Sequence, residues 1–362
     1  LRLLTEPQEG VISMTTRIRS IFALVAVAGL ALAGCSSDTT GSTDAVVSED
    51  ATTEAPAIVD NSTVAALTGE PIEAGSLARP SLSAKIDNHP SARPQVGIDE
   101  ADIVFEELVE GGLTRYLAVW HSVLPAEIGP VRSVRPMDPD IVSPFGGVFA
   151  YSGGQVRFIQ AMQEAPVYNA IHGQPDTEAT FYRTSAKVAP HNVLVKAPEL
   201  IAEHMDLPAP PAMFDYAASA DQASAVLEGD PFASVNTRFS GFSSPTWEWD
   251  GTQGTFLRFQ TNGAADSAAS GTQLFATNLV ILQVGIDVIE DIPTTRLVNQ
   301  GKGWVATGGS ITEVTWIKTA ADAPIVLTTA SGTAVELAQG NTWIELVPNE
   351  SSDVDAGVVT IK

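Results

Sequence analysis

The sequence predicts an α+β protein, a mixed α/β domain over residues 67–215 followed by a β-rich domain over residues 230–362. Three observations predict it. In the first half, short continuous apolar runs alternate with segments of helical period. In the second half, short runs rich in Val, Ile, Thr and Trp recur between Gly-containing turns. Between them lies a proline-rich connector, residues 207–212.

Taken in order, residues 83–87 and 101–108 have strand character. Residues 116–121 (YLAVWH) and 147–151 (GVFAY) are apolar and aromatic, as buried strands are. Residues 155–162 and 198–205 have helical patterning, with Pro198 and Glu199 suited to a first turn. A weaker helix is expected over 217–227. Residues 246–250 and 255–259 form an expected hairpin turning near Asp250 and Gly251. Residues 279–284 (LVILQV) read as a central strand. Residues 303–307 and 310–317 flank Gly308 and Gly309, a second hairpin. Residues 325–329, 333–337 and 342–347 complete the pattern. Their regular spacing predicts a meander or small twisted sheet. No fixed-period repeat is present.

Composition narrows the class. There are 43 Asp and Glu against 19 Lys and Arg, a net charge of −24. A protein that grips nucleic-acid phosphates through a broad basic surface is excluded on that balance. A single cysteine excludes a disulfide framework and a Cys-rich zinc site. No HExxH, spaced histidine cluster or EF-hand loop occurs, and Gly301-Lys302-Gly303 lacks the rest of a phosphate loop. No cofactor and no metal is expected.

The N-terminus carries targeting information. Residues 1–13 precede the first methionine, Met14, and read as an extension outside the fold. Residues 14–34 read as a signal peptide, with Arg17 and Arg19 ahead of an uncharged apolar run, residues 21–33. That run is short for a spanning helix, which needs about 20 residues. Leu32-Ala33-Gly34-Cys35 resembles the lipobox of bacterial lipoproteins, in which the cysteine receives a diacylglycerol. The bland alternative is an ordinary signal peptide with a chance cysteine. Seventeen of residues 36–63 are Ser, Thr, Asp or Glu, and none is Lys or Arg. Such a segment buries too little apolar surface to offset its ordering entropy, so residues 35–66 read as a lipidated cysteine and solvated tether. The expected location is the outer side of the cell membrane, held by lipid on Cys35.

The motifs Leu67-Thr-Gly-Glu-Pro, Ala84-Lys-Ile-Asp-Asn-His-Pro, Ala92-Arg-Pro-Gln-Val-Gly and Ala101-Asp-Ile-Val-Phe-Glu occur in that order. Val109-Glu-Gly-Gly-Leu-Thr-Arg, Gly129-Pro-Val-Arg-Ser-Val-Arg-Pro and Ala189-Pro-His-Asn follow. Gly301-Lys-Gly-Trp, Thr315-Trp-Ile-Lys and Gly340-Asn-Thr-Trp-Ile close the set. Together they resemble the YerB-like family of bacterial lipoproteins, from about residue 67 to 348. The resemblance implies an α/β-type domain followed by a β-rich one, with no assigned molecular function. Two departures are visible: a more acidic tether, and an Ala/Ser-rich segment at 261–271.

The chemistry-bearing residues concentrate between 85 and 135, with His191 and Asn192 added. Ten of the 19 Lys and Arg lie between Arg79 and Lys196. Asp87, Arg93, Glu106, Glu110, Arg115, Arg132, Arg135, His191 and Asn192 are the candidate ligand-binding residues. Guanidinium forks suit a carboxylate or phosphate, and envelope polymers supply both. The competing reading is that these arginines pair with Asp87, Glu106 and Glu110 to hold loops together. Glu106 and Glu110, on one face of a strand about 13 Å apart, are too distant for the usual glycosidase pair. Ser152-Gly153-Gly154 faintly resembles a nucleophile elbow, with His191 as a conceivable base, and reads better as a strand-to-helix turn. Trp247, Trp249, Trp304, Trp316 and Trp343 suit either sugar stacking or a β core.

The sequence therefore predicts a membrane-anchored binding or scaffolding module that recognises an anionic cell-wall precursor or a wall-synthesis protein. The alternative is an enzyme acting on a cell-envelope polymer. Nucleic acid is not an expected partner.

Overall fold

A computed structural model describes residues 62–362. The signal peptide, Cys35 and most of the expected tether lie outside the described residues. Within that tether range the chain already participates in the fold: Val64 bridges Pro71, and Ala65 is buried beside Leu67.

Thirteen strands organise the molecule: β1 (Leu82–Asp87), β2 (Ile103–Leu108), β3 (Thr114–Trp120), β4 (Val148–Tyr151) and β5 (Tyr168–Ile171) come first. Then follow β6 (Ser234–Arg238), β7 (Thr246–Asp250), β8 (Thr255–Phe259), β9 (Asn278–Ile289), β10 (Gln300–Thr307), β11 (Ser310–Ile317), β12 (Thr342–Pro348) and β13 (Val358–Ile361). The central path of the large sheet runs β11-β10-β9-β12-β2-β3-β1-β4-β5, with the short Asp230–Pro231 strand outside β11. Strands of both sequence halves therefore share one sheet. Strand makes up 39% of the described residues and helix 14%, so the fold is β-dominant, more so than the mixed first half predicts.

The last long strand is the surprise. Residues 342–347 read as the end of a C-terminal meander. Instead β12 lies between β9 and β2, parallel to both. Residues 333–337 contribute only Glu336–Leu337, paired with Asp215–Tyr216 in a separate parallel ribbon. The weak helix expected over 217–227 shrinks to one turn, Ser224–Glu228. Gly301, Lys302 and Gly303, which lack the rest of a phosphate loop, belong to β10. The hairpin at Gly308 and Gly309 is as expected, with both residues at positive φ, the combination that a two-residue turn matching strand twist requires.

A second, antiparallel sheet runs β8-β7-β6-β13, with Phe275–Ala276 at its edge. It covers one face of the large sheet. Val235, Trp247 and Phe256 pack there with Leu279, Ile281 and Trp343. On the other face α1 (Asp138–Val142) and α2 (Val156–Glu164) cover Phe105, Leu117, Phe149 and Tyr151. Because the large sheet is covered on both sides, its central strands β1, β2, β3 and β12 are buried along their whole length. Trp247, Trp316 and Trp343 are fully buried, and Trp249 and Trp304 pack against the core, so the tryptophans are core residues. Among the described residues no helix is long and apolar enough to cross a membrane.

Candidate functional site

Strands β1, β2, β4, β5 and β12 run in the same direction, so their carboxyl ends gather at one end of the large sheet. Open parallel sheets place ligands at that end. β1 ends at Asp87, β2 leads into Glu110, and β4 leads through Ser152 into α2. The segment around Arg132 runs between β1 and β4: Arg132 N–H donates to the Lys85 carbonyl, and Ser152 N–H donates to the Arg132 carbonyl, at 2.8 and 2.9 Å. A three-stranded sheet, Glu127–Ile128, Val193–Lys196 and Phe181–Arg183, delivers His191 just before its middle strand.

Strand pleating decides which candidates meet. Side chains alternate between faces, and Glu107, Arg115 and Asp87 form one register row across β2, β3 and β1. Asp87 anchors the row's outer end. Its Oδ2 lies 2.6 Å from His191 Nδ1 and 3.1 Å from Arg132 Nε, and its Oδ1 accepts the His89 N–H at 3.0 Å. The His89 and His191 rings stack at 4.4 Å. Arg115 and Arg135 both donate to the Ser133 carbonyl, and Arg135 Nε pairs with Glu110 Oε2 at 2.8 Å. Burial would raise the Glu110 carboxyl, but the Arg135 guanidinium outweighs it and holds the group below the usual range. Burial, and then the neighbouring Arg135 and Arg132 charges, push Arg115 down to about 10. The Arg135 and Arg132 charges thus both bear on Arg115.

Behind them sits a buried triad that the sequence reading missed. Lys85 is enclosed between Glu107 and Asp138, the latter at 2.7 Å, and burial lowers it to about 8. Asp138 also accepts the Arg135 N–H at 2.7 Å, which ties the triad to the arginine loop.

The remaining candidates go elsewhere. Glu106 points through the opposite face, into a buried cluster between the two sheets. There Arg258 bonds Glu106 Oε2 at 2.5 Å and also pairs with Asp266. The Arg258 guanidinium lies over Tyr116, Trp247 and Trp343. Arg93 joins this side through Asn88 and Gln260, at 2.9 and 3.0 Å. Asn192 bonds Arg183 and the Thr184 carbonyl, closing its own loop. Glu110 does not share a strand face with Glu106, because β2 stops at Leu108 and Glu110 sits in the turn after it. Ser152 Oγ meets His172 Nδ1 at 3.3 Å rather than His191. Arg258 and Glu345 had a legible signal: each follows a buried aromatic by two residues, Phe256 and Trp343, so each is in phase with the core.

The arginine cluster is only partly open to solvent, since Arg115 is buried and the Arg135 side chain is 11% exposed. The Arg132, His191 and Glu110 side chains are 22%, 16% and 39% exposed. A hollow of about 520 Å³ opens elsewhere, among Asp99, Glu100, Glu127, Lys196 and Glu199.

Comparison with known proteins now fits this architecture. The family described as "Protein of unknown function (DUF3048) N-terminal domain" matches residues 67–207, and its C-terminal counterpart matches residues 235–344. The chain belongs to the DUF3048 family. A relative from Bacillus subtilis (strain 168), named "Putative lipoprotein YerB", is 26% identical over 311 residues, covering 82% of this chain and 88% of its own. The crystal structure of the YerB protein from Bacillus subtilis superposes with a TM-score of 0.70 at 23% identity. It covers 82% of this chain and 99% of that one, and shows the fold. The resemblance read from the motifs is therefore correct.

Proposed function

We propose that this protein is a lipoprotein, anchored through Cys35 on the outer side of the cell membrane, that works as a binding module for an anionic envelope component. Either a cell-wall precursor or a wall-synthesis protein supplies the anion. Arg115, Arg132 and Arg135 carry the recognition, and Asp87, Glu110 and His191 orient them. The observation that supports this is the gathering of three guanidiniums at the carboxyl end of a parallel sheet, in a chain of net charge −24. Guanidiniums left near one another lose repulsion when an oxyanion arrives, and the gain is specific to that site.

The test replaces Arg132 and Arg135 with Gln together with Glu110→Gln. The variant is expected to keep its circular dichroism and to lose capture of wall-precursor fragments. A variant that unfolds makes the network structural and removes the recognition reading. Metabolic labelling with palmitate, lost in Cys35→Ser, tests the anchor.

The 2.6 Å pair of His191 and Asp87 favours a second reading, an enzyme acting on an envelope polymer. A carboxylate on one ring nitrogen leaves the other to serve as a base. Turnover of wall fragments that disappears in His191→Ala would support it, and no product from the unaltered protein would end it.

A further inference from the structure

Lys85, Glu107 and Asp138 have fully buried side chains, and neither anion recognition nor base chemistry at His191 uses them. Lys85 Nζ and Glu107 Oε1 are in direct contact, and the Lys85 amine donates to Asp138 Oδ1 at 2.7 Å. The two carboxyls are differently placed. Asp138, the first residue of α1, also accepts the Arg135 N–H through its other oxygen. Apart from Lys85, nothing among the described residues donates to either Glu107 oxygen. A charged carboxylate so placed is poorly compensated. Burial lowers Lys85 to about 8, so part of the amine is neutral, and nucleophilic, near neutral pH.

We propose that the Lys85 amine and the Glu107 carboxyl condense into an internal amide bond, with Asp138 as the catalytic proton carrier. The contacting pair is the reactant state. A proton passes from Nζ to Glu107, leaving a neutral amine and a neutral acid, the form that a dry site favours. The Nζ lone pair then attacks Glu107 Cδ and the N–C bond forms. Asp138 Oδ1 takes a proton from Nζ and hands it to the departing hydroxyl. The C–OH bond breaks and one water leaves. Nothing is oxidised or reduced, and no further reactant is consumed. Direct contact makes the condensation effectively unimolecular, and exclusion of water protects the product from hydrolysis. The bond has a mechanical effect. β1 and β2 do not pair with each other, because β3 lies between them. An amide from Lys85 to Glu107 passes over β3 and fastens its two neighbours, a cross-link that also constrains the unfolded chain.

The test begins with the unaltered protein. The full chain is denatured in urea, digested and read by tandem mass spectrometry. The expected product is one branched peptide that joins the Lys85 and Glu107 segments and is lighter than the two together by one water. An ion pair does not survive denaturation, so finding only the separate peptides overturns the proposal. A link from Lys85 to Asp138 overturns the choice of Glu107 as acceptor. Glu107→Ala should give no branched peptide, and a dehydrated product that persists in it comes from another site and overturns the assignment. Asp138→Asn keeps both partners and, with circular dichroism unchanged, should yield mainly the separate peptides. Full linkage in Asp138→Asn overturns its role as proton carrier. Should either variant fail to fold, the digest of the unaltered chain still decides whether the bond exists.

Discussion

Glu106 of β2 and Glu345 of β12 stand side by side in register on adjacent parallel strands, both fully buried. Burial, and then the Glu106 carboxylate, push the Glu345 carboxyl well above the ordinary carboxylate range, so Glu345 holds a proton. Glu106 pairs with Arg258 at 2.5 Å, and Glu345 accepts the Trp247 indole N–H at 2.7 Å. One carboxyl comes from each half of the chain, and the arginine between them from the covering sheet.

The two glutamates therefore respond oppositely to substitution. Glu345→Gln keeps a neutral, hydrogen-bonding side chain and should change stability little at pH 5. A raised folded-state pKa means that the folded form binds more protons than the unfolded one above about pH 4.3, so stability falls as pH rises from there. Glu345→Gln should flatten that fall, read from urea melts between pH 5 and 8. Glu106→Gln leaves Arg258 short of a counter-charge and should cost about 3–5 kcal/mol.

Asp102 makes a second pH-dependent contribution of the same sign. Its carboxylate accepts the His121 and Ser122 N–H groups at 2.6 and 2.8 Å, yet burial dominates and raises it to about 6. Stability linked to this group is present at low pH and is lost as pH rises from about 3.9 towards 6. The whole effect is about 3 kcal/mol. In Asp102→Asn the slope between pH 4 and 6 should diminish. An unchanged slope would show that Asp102 is ionised throughout.

Lys85 is fixed by two carboxylates, and losing the cation strands both. Lys85→Met should destabilise by about 3–5 kcal/mol. Combining Lys85→Met with Glu107→Leu should recover part of that loss, a coupling that a double-mutant cycle measures directly. Purely additive losses would mean that Lys85 and Glu107 do not act as a pair.

Two positive-φ glycines near β4 separate strain from collision. A Cβ on Gly147 would strike the Ser81 backbone, whereas one on Gly153 meets nothing within 4 Å. Gly153→Ala carries only the left-handed backbone penalty, about 1 kcal/mol. Gly147→Ala adds a backbone clash and should lose at least twice as much in a thermal melt.

What the sequence made legible was local. The strands read at 83–87, 101–108 and 279–284 match β1, β2 and the first half of β9, and residues 279–284 stood out as a nearly unbroken apolar run. Pairing was not readable. Nothing near Thr342 announces that β12 pairs with β2, more than 230 residues earlier, because that choice rests on non-local packing. The candidate site was half legible. Asp87, Glu110, Arg115, Arg132, Arg135 and His191 do assemble: Asp87 ends β1, Glu110 follows β2, Arg115 opens the antiparallel β3, and the other three come from loops. Glu106 does not join them, because one step along a pleated strand moves a side chain through the sheet, and Arg93, in the turn after β1, bonds Asn88 and Gln260 instead. Lys85, Glu107 and Asp138 lie in the region where polar residues concentrate, but nothing in the sequence joins them, because a buried ion triad leaves no spacing pattern.

The seat of β12 in the middle of the large sheet has a consequence for how the chain is born. Synthesis is vectorial, and β2 has only β3 beside it until residues 342–348 emerge. The first half therefore waits with an open strand edge through the making of some 230 residues, the kind of edge that recruits wrong neighbours. Closure is a late, long-range event, so folding is slow relative to a locally wired protein of equal size. A polypeptide of this design stays threadable for most of its synthesis and locks only when its last long strand arrives.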